Sequence, residues 1–182
     1  MEKFTLNHED SVLFIIDIQE RLAKVMKDRD QVINNTNVLI SASEELGFPI
    51  IYTEQYPKGL GRTVSELQRG LEEAHRYEKV HFTAYIDEVK EILDKIDRKK
   101  IIITGMETHV CVFQTARDLI DNGYKVFIVK DAVSSRTNEN YKNGLDLLKE
   151  MGAVITNTET VIFDLLKKAG TSEFKTLSKL IK

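Results

Sequence analysis

The sequence is poor in cysteine, proline and long apolar runs, and these shortages exclude several classes of protein. Its 182 residues contain one cysteine and two prolines. A single cysteine cannot form an internal disulfide, so we expect a reducing, cytoplasmic compartment. The longest purely apolar run, Val12 to Ile16, is far below the roughly 20 residues that cross a bilayer. The polar, acidic N-terminus also lacks the apolar core of a signal peptide, and we expect no membrane partner.

A surplus of positive charge is also missing. Lysine and arginine number 26 against 29 aspartates and glutamates, for a net charge of -3. No stretch concentrates enough positive charge to follow a phosphate backbone, so nucleic acid is not an expected partner. The apolar fraction of 42% and charged fraction of 30% are ordinary for globular proteins. The length predicts a single domain over residues 1–182.

What the sequence does contain is a series of short, β-rich apolar runs. Runs that are apolar on both faces are typical of parallel strands covered by helices on each side. Segments with helical spacing lie between the runs, for example Val89, Ile92, Leu93 and Ile96. The alternation predicts an α/β fold, a three-layer α/β/α sandwich with a mostly parallel, doubly wound, Rossmann-like sheet. The predicted strands are 12–16, 49–53, 100–104, 125–129 and 153–156.

Three glycines mark the ends of predicted helices. Gly47, Gly123 and Gly152 each stand shortly before a strand run, where a left-handed C-terminal cap is wanted. A helical pattern with Leu145, Leu148 and Met151 precedes the last of them. The one long irregular segment, residues 54–63, carries a proline and two glycines and is a candidate functional loop.

The single cysteine, Cys111, lies in the stretch "IIITGMETHVCV" at 101–112. Taken alone, such a cysteine is most often a small buried hydrophobe. Here, however, it follows a predicted strand and falls in the first turn of a predicted helix, where open parallel sheets bind ligands. Free first-turn amides and the helix dipole favour a thiolate and could bind an oxyanion. The position therefore favours a nucleophile, although a residue packed under the sheet edge stays possible.

Two charged residues are candidate partners for this cysteine. Asp17 directly follows the first strand and should share the rim with Cys111, unless it serves only as a helix cap or turn residue. Lys79, in "YEKVHFTAY", precedes a stretch that could lead back to the same rim, although a lone lysine is usually solvated. An Asp and a Lys beside a thiol suit proton transfer and nucleophilic attack.

These residues lie in three motifs that resemble the isochorismatase-like cysteine hydrolases, over essentially residues 10 to 165. The motifs are "LFIIDIQ" at 13–19, "KVHFTAY" at 79–85 and "GMETHVCV" at 105–112. Two further stretches, "TEQYPKGLGRTV" at 53–64 and "DAVSSR" at 131–136, look most like the isochorismatase domain-containing proteins. The resemblance implies an Asp17, Lys79 and Cys111 triad that acts on a small amide-like or ester-like bond through a thioester-type intermediate.

The resemblance also implies supporting features. The backbone amides of Glu107 and Cys111 would form the oxyanion hole, and the Met106–Glu107 peptide bond would be cis. Cys111 should be more reactive than a free thiol at neutral pH and should depend on Lys79 for that reactivity. A homo-oligomer and a small-molecule substrate are expected. Low-ranking candidates for substrate contact are Gln19, Gln55, Phe82, Tyr85, Thr108 and His109.

No metal and no cofactor is expected. Nicotinamidases of the family carry histidine ligands after the second strand, whereas the comparable stretch here, "YTEQYPKG", has none. The histidines, at positions 8, 75, 81 and 109, lack metal-ligand spacing. Two alternatives stay open beside the enzyme: a binding or scaffold protein that keeps the pocket without turnover, and a thiol peroxide sensor, which would lack a resolving cysteine.

Overall fold

The centre of the fold is a six-stranded sheet in the order β3-β2-β1-β4-β5-β6, in which every pairing is parallel. This computed structural model describes residues 1–181, so the last residue of the predicted 1–182 domain lies outside the described residues. The strands are β1 Ser11–Ile16, β2 Ile50–Gln55, β3 His75–Lys79, β4 Lys100–Met106, β5 Lys125–Ser134 and β6 Val154–Thr156. The order reverses direction between β1 and β4, so the sheet is doubly wound as predicted.

Helices connect the strands and cover both faces of the sheet. The longer ones are α2 Arg29–Leu46, α5 Asp87–Ile96, α6 Phe113–Asp121, α7 Asn138–Glu150 and α8 Thr158–Leu166. The short ones are α1 Glu20–Ala23, α3 Pro57–Leu60, α4 Ser65–Gln68 and α9 Ser172–Leu177. A π-helical turn, Thr108–Val112, leads directly into α6. Within residues 1–181 no helix combines the length and the hydropathy needed to cross a membrane.

Two apolar layers lie on opposite faces of the sheet, and β1 contributes to both. Its side chains alternate, so Leu13 and Ile15 join the layer under α2 and α8, while Val12, Phe14 and Ile16 join the layer under α5, α6 and α7. Every residue of β1 is buried. Burying one such side chain stabilises the fold by about 1.5–3 kcal/mol, which explains why the central strands read as unbroken apolar runs.

The predicted fold class is confirmed, and each of the five predicted strands overlaps an observed one. Gly47, Gly123 and Gly152 have φ values of 71°, 84° and 96°, the left-handed geometry expected of helix C-terminal caps. The predicted helical patterns fall on α5 and α7.

Strand β3 is absent from the predicted set of strands. Its sequence, HRYEK, has no apolar run because it lies at the edge of the sheet, where four of its five side chains are not buried. A rule that looks for apolar runs cannot find such a strand. Its last residue is Lys79, so the missing strand is the one that places this lysine at the rim.

Candidate functional site

The carboxyl ends of three strands bring the predicted triad residues to one rim of the sheet. Asp17 follows β1, Lys79 ends β3, and Cys111 lies in the turn after β4. Because β1 and β4 are neighbours at the point where the strand order reverses, Asp17 and Cys111 flank the place where doubly wound sheets bind ligands. The structure thus assembles these three side chains, while their catalytic roles stay a prediction.

Asp17 is held in a left-handed backbone conformation, with φ at 52°, by the end of β2. Its N–H donates to the Thr53 carbonyl at 3.2 Å, and the Thr53 hydroxyl donates to Asp17 Oδ1 at 2.8 Å. Aspartate tolerates this region better than most residues because its short polar side chain can hydrogen-bond locally. The carboxylate is therefore fixed on one side by Thr53 and presents Oδ2 to the site.

Lys79 occupies a fully buried cage of oxygen atoms. Its ammonium lies 2.6 Å from Asp17 Oδ2 and 2.7 Å from Gln55 Oε1, and the carbonyls of Phe82 and His81 are at 3.1 and 3.3 Å. Both side chains of the Lys79–Asp17 pair have 0% exposure. An ammonium has three protons, so these four oxygens use all of its donors. Lys79 can act by its charge, but it has no proton left for a substrate.

The turn that carries Cys111 is fixed by close backbone contacts. Gly105 has φ at 133°, and a Cβ at this position would lie 2.0 Å from the carbonyl oxygen of Ile16. A Cβ at Gly144, on α7, would lie 2.9 Å from the nitrogen of His109. Only glycine permits both approaches. The Thr115 hydroxyl donates to the Cys111 carbonyl at 2.6 Å and accepts from the Ala84 N–H at 2.8 Å, which joins the turn to the 79–85 segment.

The electrostatic balance at Cys111 differs from the sequence-based expectation of a thiolate. Burial raises the pKa of the Cys111 thiol to about 12, and both the charge of Asp17 and a hydrogen bond with it act in the same direction. The Lys79 ammonium lowers this pKa only in part, and Glu107 raises it further. The thiol is 6% exposed. The resting thiol is therefore protonated at neutral pH, and the expectation of a resting thiolate is wrong because burial outweighs the helix terminus.

Glu107 stands between β4 and the turn, next to the cis Met106–Glu107 peptide bond that the family resemblance implies. Its carbonyl accepts from the N–H groups of Val110 and Val112, at 3.1 and 3.2 Å. Its buried carboxylate accepts from the Arg136 N–H at 2.9 Å and from Arg136 Nε at 3.1 Å. No residue within 1–181 accepts a hydrogen bond from the Glu107 N–H. This amide is therefore a candidate oxyanion donor, as predicted, together with that of Cys111.

Two of the predicted substrate contacts already have partners inside the protein. The Gln19 side chain donates to the carbonyls of Gly61 and Gln55 and accepts from the Gln55 N–H, all within 3.0 Å. The Gln55 side chain accepts from Lys79 and donates to the Val80 carbonyl at 2.9 Å. These contacts favour a supporting role for both glutamines. Gln19 anchors the loop at 56–63, and Gln55 holds Lys79.

The other four predicted substrate contacts are placed differently from one another. Phe82 is 56% exposed beside the Lys79 cage. Tyr85 packs edge-on against Tyr124, with a ring-centroid distance of 6.2 Å, so its contacts lie along the helix layer. His109 Nδ1 is 2.9 Å from the Ser135 hydroxyl. Thr108 is buried and its hydroxyl has no partner within the described residues. Phe82 thus keeps an exposed ring, and Thr108 keeps a buried hydroxyl without a partner among the described residues.

A cavity of about 640 Å³ lies away from the triad, at the amino ends of the strands, against Phe48, Ile50 and Arg98. A cavity of about 430 Å³ adjoins the 79–85 segment, against Lys79, Val80 and Tyr85. In the part of the chain that the structure describes, no group of three or more His, Cys, Asp or Glu residues could hold a metal ion. The groups that converge at the rim are a thiol, a carboxylate and an ammonium.

Sequence reasoning missed three residues that shape the site. Thr53 holds Asp17, Arg136 pairs with Glu107, and Gly144 lets α7 approach the Cys111 turn. Thr53 and Arg136 lie inside stretches that the family resemblance had singled out, so a signal existed for them. The role of Gly144 depends on how α7 packs, which no local pattern reports.

Comparisons with known proteins agree with this fold and identify its family. A family model described as the isochorismatase domain matches residues 11–160. The secreted isochorismatase effector Isc1 of Phytophthora sojae is 43% identical over 177 residues, covering 94% of this chain and 84% of that protein. Isochorismatase domain-containing protein 2 of Xenopus laevis is 38% identical, covering 97% and 85%.

A solved structure is similar along nearly its whole length. The MAR1 ribonuclease of Caenorhabditis elegans superposes with a TM-score of 0.93 at 38% identity, covering 97% of this chain and 92% of that one. The family match spans most of the residues over which the motifs resemble the isochorismatase-like hydrolases. With the Asp17, Lys79 and Cys111 motifs in place on a doubly wound sheet, the chain belongs to the isochorismatase-domain family of hydrolase-fold proteins.

Proposed function

We propose that the protein is a cofactor-independent cysteine hydrolase that acts on a small amide-like or ester-like bond. The observation that carries the proposal is the buried contact of 2.6 Å between Lys79 and Asp17, beside a Cys111 thiol whose pKa responds to the charges of both groups. A buried ion pair next to a single thiol has the parts of an activated nucleophile: a proton acceptor and a charge that compensates it.

The proposed reaction begins with the protonated thiol. As Cys111 Sγ attacks the substrate carbonyl carbon, its proton passes to the Asp17 carboxylate, and the amides of Glu107 and Cys111 hold the oxyanion that forms. Collapse of the tetrahedral species breaks the bond to the leaving group, which takes the proton from Asp17. Asp17 then removes a proton from water, whose oxygen attacks the thioester. Collapse of this second tetrahedral species breaks the C–S bond and releases the acid, and the proton on Asp17 returns to Cys111 Sγ.

Lys79 contributes to this reaction without touching the substrate. Its four oxygen partners leave it no free donor, so its effect is the field of a fixed positive charge. That field favours the anion whichever of Asp17 and Cys111 carries it, and it lowers the pKa of Cys111. In the proposed reaction Asp17 and Cys111 share one proton, so one of the two carries the negative charge at each stage.

The alternatives predict different behaviour. A non-catalytic binding or scaffold protein would bind small amides or esters without turnover. A peroxide sensor would need an accessible thiolate, whereas burial raises the pKa of Cys111 to about 12. The name of the C. elegans relative raises cleavage of RNA, but the net charge of -3 and the fully engaged Lys79 offer little to bind phosphates.

A substrate screen separates these possibilities. The purified protein and its Cys111→Ala variant are incubated with a panel of small amides and esters and with single-stranded RNA. We expect hydrolysis of at least one amide or ester that disappears in Cys111→Ala. Hydrolysis that survives the substitution, or cleavage of RNA alone, would contradict the proposal.

Two further expectations belong to the same proposal. We propose that the protein forms a homo-oligomer, which light scattering coupled to gel filtration measures directly. We also propose a cytoplasmic location, although one relative is named a secreted effector. Fractionation of the source cells tests that location, and recovery of the protein in the medium would contradict it.

A further inference from the structure

The Glu107–Arg136 ion pair places a buried carboxylate close to a nucleophile that must become negative. Glu107 is 7% exposed, and its charge raises the pKa of Cys111. A carboxylate at this position opposes ionisation of the thiol. We therefore ask what else Glu107 contributes to the site. Arg136 neutralises it from the end of β5, with Nε at 3.1 Å from both carboxylate oxygens and the backbone N–H at 2.9 Å from one of them.

The contacts of Glu107 fix its peptide group from two sides. The carboxylate is bound by Arg136, and the carbonyl is bound by the N–H groups of Val110 and Val112. The N–H is the one polar group of this residue that has no partner within residues 1–181. It is also the group that would meet an oxyanion in the proposed reaction.

The sheet brings Arg136 to this point through an irregularity in its register. The pairing of β4 with β5 shifts between Ile103 and Gly105, after which Met106 pairs with Ser134. The two strand ends therefore run side by side up to the turn. Residue 136 then follows closely enough for both its main chain and its side chain to reach Glu107.

We infer that Arg136 and Glu107 are a positioning pair that holds the Glu107 N–H in place to bind the oxyanion. The inference rests on the proposed function. Neither side chain is assigned a contact with substrate; Arg136 acts on Glu107, and Glu107 acts through its own backbone. An oxyanion donor stabilises the transition state only when it lies within hydrogen-bond distance of the developing charge, so its placement governs acyl transfer.

Two reactions of the same cysteine separate this role from a general effect on the thiol. p-Nitrophenyl acetate acylates Cys111 through a tetrahedral oxyanion, whereas iodoacetamide alkylates the same sulfur without forming one. Both reagents are uncharged, so loss of the arginine charge does not change their attraction to the site. The ratio of the acylation rate to the alkylation rate therefore reports on the oxyanion donor.

We expect Arg136→Ala and Glu107→Ala to lower this ratio at least about tenfold, since loss of one oxyanion donor costs about 10²–10³ in rate. Glu107→Gln should keep the ratio within about threefold, because the amide oxygen can still accept from the Arg136 N–H and Nε. Arg136→Lys retains the charge but lacks the planar guanidinium, so we expect a lowered ratio. Arg29→Ala, which removes a remote ion pair with Glu66, is the matched control and should leave the ratio unchanged.

Circular dichroism checks that each variant is folded before its two rates are compared with those of the wild type. An unchanged ratio in the folded Arg136→Ala and Arg136→Lys variants, or equal losses in both reactions, would overturn the inference. If the alanine variants fail to fold, Arg136→Lys and Glu107→Gln decide it by the same criterion. If neither reagent modifies Cys111 in the wild-type protein, the proposed function itself fails and the inference falls with it.

Discussion

At the scale of single residues, the site combines an anion and a cation that are both removed from water. Asp17 and Lys79 have fully buried side chains 2.6 Å apart. A buried ion pair is costly to break, because removal of one partner leaves the other charge unpaired. Thr53 and Gln55 supply the hydrogen bonds that such a pair needs on its outer sides. These contacts fix the positions of both charges next to the Cys111 thiol.

Substituting Lys79 by methionine should reduce the reactivity of Cys111. Lys79 lowers the pKa of this thiol, so its removal raises that pKa further and leaves Asp17 buried without its counter-charge. We expect iodoacetamide alkylation at pH 7 to slow at least tenfold, equivalent to about 1.4 kcal/mol. The free energy of unfolding should fall by about 3–5 kcal/mol.

The control for this substitution is Lys90→Met, which removes an exposed lysine that pairs with Asp87. It should alter neither the alkylation rate nor the stability measurably, because an exposed ion pair contributes little. Equal alkylation rates in the wild type and a folded Lys79→Met variant would contradict this role of Lys79 and would favour the alternative that Cys111 is only a small buried hydrophobe.

The raised pKa of Cys111 also predicts how stability depends on pH. The folded thiol holds its proton up to about pH 12, against an ordinary value of 9.0. Above pH 9 the unfolded chain therefore binds fewer protons than the folded chain, so the thiol's contribution is intact below pH 9 and is lost as the pH rises toward 12. By pH 10 the loss should reach about 1.4 kcal/mol.

Urea unfolding of the wild type and of Cys111→Ala at pH 8 and pH 10 measures this contribution, because titration of the other lysines and tyrosines is common to both proteins. The wild type should lose more stability than the variant over this interval. Parallel losses in the two proteins would mean that burial does not perturb the thiol.

At the scale of elements, the site depends on two close backbone contacts, one between a helix and a turn and one between two strand ends. α7 meets the Cys111 turn at Gly144, and β4 meets β1 at Gly105. Both contacts join backbone to backbone, where no flexible side chain can move aside. The turn that carries Cys111 is thereby held from α7 on one side and from the sheet on the other.

In Gly144→Ala, helix propensity and packing should change the stability in opposite directions. In an exposed helix the change would stabilise by about 1 kcal/mol. Here the new Cβ would lie 2.9 Å from the His109 nitrogen and 3.0 Å from its Cα, so α7 or the turn must shift. We expect a net destabilisation of about 1–3 kcal/mol together with slower acylation of Cys111.

Asn143→Ala, at the exposed neighbouring position of the same helix, is the matched control and should be close to neutral. Thermal unfolding and acylation by p-nitrophenyl acetate measure both proteins. A stabilised, fully reactive Gly144→Ala variant would show that the turn is not held by α7.

Predictability also differs between elements. The buried strands and the helices were accessible from sequence because alternation of apolar runs with helical spacing reports burial directly. The edge strand β3 could not be found from the sequence, since four of its five side chains are not buried and they carry no apolar pattern. The motifs located Asp17, Lys79 and Cys111, but not the protonation of the thiol. That state depends on burial and on the charge of Asp17, which only the assembled site reveals.

At the scale of the whole molecule, the topology explains why distant motifs meet. Lys79 lies 62 positions from Asp17 in sequence. The two residues nevertheless meet, because β3, β2, β1 and β4 are consecutive in the sheet and their carboxyl ends form one rim. The fold thus brings a thiol, a carboxylate and an ammonium to one rim of the sheet. The described residues contain no cluster suited to a metal ion, and metal independence is a prediction of the proposed chemistry.

Chelation tests that prediction on the intact protein. Activity toward any amide or ester found in the screen should be unchanged after dialysis against EDTA, because each step of the proposed reaction uses protein groups only. Loss of activity on chelation with recovery on adding zinc would show that a metal takes part.

The most direct test of a nucleophilic Cys111 is mass spectrometry of the protein during turnover of an ester or amide substrate, after rapid acid quenching. The proposed chemistry predicts one acyl group per chain, located on Cys111, and no acyl group in Asp17→Asn, whose amide cannot take the thiol proton. An acyl group on another residue, or substrate hydrolysis that continues at the wild-type rate in Cys111→Ala, would contradict it.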